Sequence, residues 1–285
     1  MKTRSLINYI VLTVLTAIFC FNISPTNSFG QQSEEDILRQ IQWETGPTMG
    51  SLGEIAEISV PEGYLFAGAN DTRLIMEVMQ NPTSGYELGF IGPEGGDWFV
   101  IFEFNDIGYV KDDEKDSLDA DAILKAIKVA TEKSNEERKR RGWPIMTVIG
   151  WEQPPRYNLT THNLEWAIRG ESEGVPIINH NTRLLGRKGV MRVTLVVEPT
   201  DYFAVMPQSK TLIDGFRYKQ GHKYAEFIQG DKVAKYGLTA LITGGAAAVA
   251  VKSGLFKWLW KIIVVAFMAV IGFFRKLFSR KTKQR

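Results

Sequence analysis

Hydrophobic positions divide the chain into three parts. Residues 6–21 are almost continuously apolar, 31–236 mix alternating and helically spaced apolar positions, and 237–274 are apolar again. In the middle part, Ser33 and Asp36 resemble a capping box, Ile37, Leu38 and Ile41 form one helical face, and Gly46-Pro47 ends that helix. Residues 54–60 and 64–67 read as strands joined by Pro61-Glu62-Gly63. A short helix starts at Asn70 or Asp71, carries Leu74, Ile75, Val78 and Met79 on one side, and stops at Asn81-Pro82. Residues 97–105 are apolar on both faces, the pattern of a central strand.

A longer helix follows. Ser117 caps it, Ala120, Ile123, Leu124, Ile127 and Ala130 share a face, and Gly142 and Pro144 close it. Its last part, 133–141, is dense in charge and reads as a solvated end. Four strand-like runs come next, at 145–151, 163–169, 175–185 and 190–197. Pro154-Pro155 and the polar, Gly-rich stretches 170–174 and 186–189 separate them, which predicts an antiparallel meander. A helical segment over 200–214, interrupted or restarted at Pro207, and a last short strand at Phe216–Tyr218 complete the pattern. Strands in runs with segregated helices predict an α+β fold: an antiparallel sheet covered by helices, resembling an α/β/α sandwich.

Charge changes the picture at both ends. The net charge of +2 hides a segregation: all 32 Asp/Glu lie in 31–236 with 23 Lys/Arg, a net of −9, while 237–285 hold nine Lys/Arg and no acid. An acidic folded part argues against nucleic acid as a partner. Lys2 and Arg4, the apolar run behind them and Ser28-Phe29-Gly30 predict a signal peptide over 1–30, with an uncleaved N-terminal anchor as the alternative. Cys20, the single cysteine, falls within it, so the rest of the chain has no disulfide and no thiol. Residues 255–274 make a helix of 20 residues, about 30 Å long, matching a bilayer core. Trp258, Trp260, Lys257 and Lys261 suit its interface, and six cations in the 275–285 tail place that tail in the cytoplasm. The expected organisation is a signal peptide (1–30), an extracytoplasmic domain (31–220), a tether (221–236), a small-residue-rich apolar helix at the interface or in the membrane (237–254), one transmembrane helix (255–274) and the tail (275–285).

Catalytic signatures are sparse. Phosphate-loop, dinucleotide, zinc-protease and nucleophile-elbow patterns are absent from the sequence, and three histidines give little metal-binding material, so no cofactor or metal is expected. His180 alternates with Ile178, Thr182 and Leu184, as a satisfied core histidine would. The richest polar and aromatic cluster lies in the meander. Trp151, Tyr157, His162, Glu165 and Arg187 surround a strand on which Asn179, Asn181 and Arg183 share one face. Such a face suits a peptide or small ligand, and it equally suits an ordinary solvated sheet surface.

The Pro-x-x-Tyr before Thr161-His162, then Leu164, Trp166-Ala167, Asn179, Asn181, Arg183, Leu185-Gly186-Arg187, Gly189, Tyr224-Ala225, Phe227, Gly230-Asp231-Lys232 and Tyr236-Gly237-Leu238 resemble the bacterial membrane-anchored family called domain of unknown function 2167. A tyrosine is usual in that family where His180 stands. The resemblance implies a bacterial inner-membrane protein with its main domain in the periplasm or outside, and it supplies no activity. At the level of fold the strand–meander–helix order is also similar to PsbP and Mog1. The expected function is a binding or scaffold module for an envelope or membrane protein or component, anchored in the lipid bilayer. Two alternatives stand beside it: a hydrolase or metal-dependent enzyme using His162 and Glu165, and a subunit of a membrane complex acting through its transmembrane helices.

Overall fold

The computed structural model describes residues 34–244. They form α1 (Glu34–Leu38), β1 (Glu44–Thr45), β2 (Thr48–Leu52), β3 (Ala56–Val60), β4 (Tyr64–Gly68), α2 (Ala69–Val78), β5 (Glu87–Pro93), β6 (Phe99–Asn105), α3 (Ala120–Arg141), β7 (Thr147–Asn158), β8 (Asn163–Ser172), β9 (Val175–Leu185), β10 (Val190–Val197), α4 (Tyr202–Asp214), β11 (Phe216–Tyr218) and α5 (Leu238–Thr243). Eight strands make one antiparallel sheet in the order β1-β4-β5-β6-β10-β9-β8-β7. The predicted meander is its β7–β10 half, and β10 joins the halves by pairing with β6, Val193 opposite Phe102.

The sheet is covered on both faces, and the covers differ from the expectation in one respect. On one face Phe66, Ile91, Phe102, Met191 and Leu195 pack against α4, as a helix-covered sheet requires. Beside α4, however, the cover is a second sheet, β11-β3-β2, which contributes Leu52, Ile58 and Val60. The β2 strand has no hydrophobic alternation to announce it, because Gly50 lies against the Phe66 ring, where a Cβ would come within 2.9 Å. The opposite face carries two apolar clusters. Ile123, Leu164, Trp166, Leu238 and Ile242 form one beneath α3 and α5, and Ile41, Ala67, Ile75, Phe90 and Ile101 form the other beneath α2.

Three local expectations are corrected. Pro154-Pro155 is not a turn: β7 runs through it as the sheet's edge, with register shifts between Val148 and Arg156 that absorb residues unable to donate. Pro207 lies inside a continuous α4. The cap of α3 is Asp119, whose Oδ1 accepts from the Ala122 amide at 3.0 Å, and Gly142 closes the helix in the left-handed conformation.

The charged end of α3 is not wholly solvated. Asn135 and Arg138 are buried. Asn135 exchanges two hydrogen bonds with the Met146 backbone, at 2.8 and 2.9 Å. Arg138 donates to the carbonyls of Gln80 (3.1 Å) and Pro144 (3.0 Å) and to the Asn81 side-chain oxygen (2.7 Å). These bonds pin α3 to the start of β7 and to the end of α2, and fix it as a roof over the sheet.

Residues 221–236 lie along the domain. Isolated bridges join Tyr109 to Val233 and Gly186 to Lys223, while Tyr224 and Phe227 stack on Tyr109. In α5, Leu238 and Ile242 are core residues, so the apolar stretch 237–254 enters the fold with its first turns. The rest of that stretch, the 1–30 signal segment, the 255–274 helix and the 275–285 tail lie outside the described residues. Among the described residues no helix is long and apolar enough to cross a membrane.

The roof's attachment is testable. Arg138→Met leaves two carbonyls without their donor, and the full chain should lose about 2–4 kcal/mol in urea unfolding. Lys139→Met, at an exposed neighbouring position, should change stability by less than about 0.5 kcal/mol. Equal effects of the two substitutions would show that the Arg138 bonds do not hold the roof.

Candidate functional site

Alternation along β9 turns Ile178, His180, Thr182 and Leu184 toward α4 and the small sheet, and Asn179, Asn181 and Arg183 toward α3. The antiparallel register completes that second face. Trp166 on β8 lies opposite Asn181, while Arg192 and Thr194 on β10 lie opposite Arg183 and Asn181. The roof of α3 stands over these side chains and encloses a cleft of about 360 Å³ between the sheet and Ile127, Thr131, Ser134, Asn135 and Arg138. The polar face is therefore not an ordinary solvated sheet surface. It is the floor of a cleft.

Arg183 is its centre. The side chain is 4% exposed, and its guanidinium carbon sits 4.5 Å from the centroid of the Trp166 ring. Nη1 donates to the Thr182 carbonyl at 3.3 Å and Nη2 to Asn181 Oδ1 at 3.4 Å, both long bonds, and the buried Nε has no partner. No carboxylate forms an ion pair with Arg183 among the described residues. Burial, and then the nearby Arg192 cation, push its pKa well below the usual arginine range, and only Glu103 opposes them. Arg192 itself pairs with Glu103 at 3.5 Å.

The other candidate residues occupy different places. Trp151 braces the roof, its indole N–H donating to the Ala120 carbonyl at 3.2 Å. Tyr157 and His162 form a separate cluster: the Tyr157 hydroxyl lies 3.0 Å from Asp112 Oδ2 and 3.1 Å from His162 Nδ1, and the His162 ring is 4.9 Å from that of Tyr224. Glu165 lies on the opposite face of β8, in register with Arg156 and Thr182, where burial raises its pKa and Lys210 opposes the rise. The structure thus does not bring His162 and Glu165 together. Arg187 grips Asp231 with two bonds of 2.7 and 2.9 Å, which ties residues 221–236 to the domain and holds the Asp231 carboxyl down to about 2. Among the described residues no group of His, Cys, Asp and Glu is arranged to hold a metal ion.

Sequence reasoning missed Arg192 and Thr194, and it left Asn135 and Arg138 out of the candidate cluster. A signal for the first two existed. They are the polar members of an otherwise buried alternating run, Val190–Val197, and antiparallel pairing must set them beside the polar face of β9.

A single α+β domain with a helix-roofed polar cleft is the class that fold and site define. The chain belongs to the family of proteins of unknown function DUF2167, whose pattern matches residues 44–275, as the sequence motifs led one to expect. No curated protein matches it. Among solved structures it is similar to cyanobacterial PsbP from Synechocystis sp. PCC 6803, at 11% identity and a TM-score of 0.37 over 69% of this chain and 99% of that one. It is also similar to the Ran-binding protein Mog1p of Saccharomyces cerevisiae, at 9% identity and a TM-score of 0.30 over 61% of this chain and 96% of that one.

His180, on the far side of β9 from the cleft, gives the domain a titration. It is buried, 2.9 Å from the Tyr202 hydroxyl, and burial pushes its pKa down to about 4. The unfolded chain takes up this proton near pH 6.5, so the contribution is full above that value and is lost as pH falls toward 4. Between pH 7 and 4.5, His180→Gln should lose less stability than the parent chain by about 2.5 kcal/mol in urea unfolding. Parallel profiles would mean that His180 titrates normally.

Proposed function

We propose that this chain is a non-enzymatic binding module: an extracytoplasmic domain, carried on a bacterial inner membrane by its C-terminal helix, that holds an envelope protein or component in the cleft beneath α3. One observation carries the proposal. Beside Asn179 and Asn181, the cleft encloses in about 360 Å³ of space the buried Arg183, which has two long bonds and an Nε without a partner. Buried polar groups in a protein interior are ordinarily paired, and a buried guanidinium left partly unpaired beside a cleft is the arrangement of a binding site. The location rests on the sequence: an acidic 31–236 between two apolar, basic ends, with a cationic tail after the last hydrophobic run.

Crosslinking of the full-length protein in its native membrane tests this. Thr131→Trp fills the cleft from the roof without touching the sheet's backbone. A specific crosslinked component should be captured by the parent chain and reduced tenfold or more by Thr131→Trp, a difference of about 1.4 kcal/mol in binding. Equal capture by both, with circular dichroism showing both folded, would place the contact outside the cleft and overturn the reading.

A further inference from the structure

The cleft's chemistry also points to what it takes, an inference that rests on the binding reading above. Three arginines, Arg138, Arg183 and Arg192, and no carboxylate line the compartment among the described residues, in a region, 31–236, whose net charge is −9. Two of the three are engaged: Arg192 with Glu103, and Arg138 with the oxygens of Gln80, Pro144 and Asn81. Arg183 has only two long bonds and an orphaned Nε. A guanidinium presents a planar fork of donors that matches the oxygens of a carboxylate or phosphate. The Asn179 side-chain amide stands on the same floor as a neutral donor, beside Asn181, whose Nδ2 donates to the Asn179 carbonyl at 3.0 Å, and Thr194, whose hydroxyl donates to Asn181 Oδ1 at 3.4 Å.

A second compartment of about 540 Å³ adjoins the first, with Arg138, Met146, Asn179 and Thr194 lining both. Its walls include Met76, Met79, Phe99, Ile101 and Val196. Methionines adapt to irregular apolar shapes. Asp97, Glu103 and Glu198 also line this compartment, and they repel an anionic head from it. Of the two adjoining compartments, the first therefore favours negative charge and the second favours an apolar chain.

We propose that the cleft binds an amphipathic anion, with a carboxylate or phosphate head on Arg183 and an alkyl chain running between α2 and β6 toward β10. Calorimetry on the full-length protein in lipid nanodiscs, with empty nanodiscs as reference, tests it with four probes: hexanoate, hexyl phosphate, 1-hexanol and inorganic phosphate. At least one of the two alkyl anions should bind tenfold or more tightly than both hexanol and inorganic phosphate, and the preferred head identifies the ligand class. Arg183→Met should weaken that anion at least tenfold and leave hexanol unchanged, while Arg183→Lys, which keeps the charge and loses the fork, should fall between.

Hexanol equal to the anions, or anion binding unchanged in Arg183→Met, overturns the head assignment and leaves the cleft reading standing. Inorganic phosphate equal to hexyl phosphate overturns the chain assignment. No binding by any probe overturns the proposal outright. The Thr131→Trp crosslinking contrast then decides the cleft reading separately, since it requires no particular ligand chemistry.

Discussion

A guanidinium buried on an indole, in the middle of a sheet face and with no carboxylate in an ion pair with it among the described residues, is the constraint around which this domain is arranged. Arg183 lies 4.5 Å from the Trp166 ring, and the hydrophobic clusters of its face stop on either side of it. A sheet made only for stability would fill that position with an apolar side chain. Replacing buried charge by well-packed apolar residues is often neutral or stabilising. The departure from that economy occurs where a cleft opens, which is where function is expected to override local stability.

The rest of the fold holds that arrangement in place. The opposite face of the sheet is sealed by α4 and the small sheet, which supply the largest apolar cluster and leave the α3 face free to be polar at its centre. The roof is secured at both ends. Near its start the Trp151 indole holds the Ala120 carbonyl, and near its end Asn135 and Arg138 hold Met146, Pro144, Gln80 and Asn81. Helix α5 and residues 221–236 close the remaining side, the latter through Arg187 and Asp231. Several of the residues on which the family resemblance rested in the sequence, Trp166, Asn181, Arg183, Arg187 and Asp231, thus belong either to the floor of the cleft or to the clamp beside it.

Much of this was legible in the sequence, and for identifiable reasons. β9 and β10 largely alternate because each carries side chains into two different environments, and β6 is apolar on both faces because both are covered. The shared face of Asn179, Asn181 and Arg183 followed from period two alone. What stayed hidden was tertiary. β2 and β5 carry Gly50 and Gly89 where the Phe66 ring leaves no room for a side chain, so their hydrophobic signal is thin. The end of α3 looks solvated because its buried residues are polar, and Asn135 and Arg138 satisfy carbonyls that only the folded chain brings near. That the polar face would be roofed could not be read from β9, whose pattern is the same for a solvated face.

Urea unfolding of Arg183→Met beside the parent chain, both full-length and without added ligand, tests most directly whether Arg183 is kept for binding rather than for folding. Arg183 forms no ion pair, and its two long bonds and its contact with the Trp166 ring do not offset the burial of its charge, so the variant should be at least as stable as the parent. A loss of about 3–5 kcal/mol, the cost of breaking a compensated buried pair, would show instead that Arg183 holds the fold together.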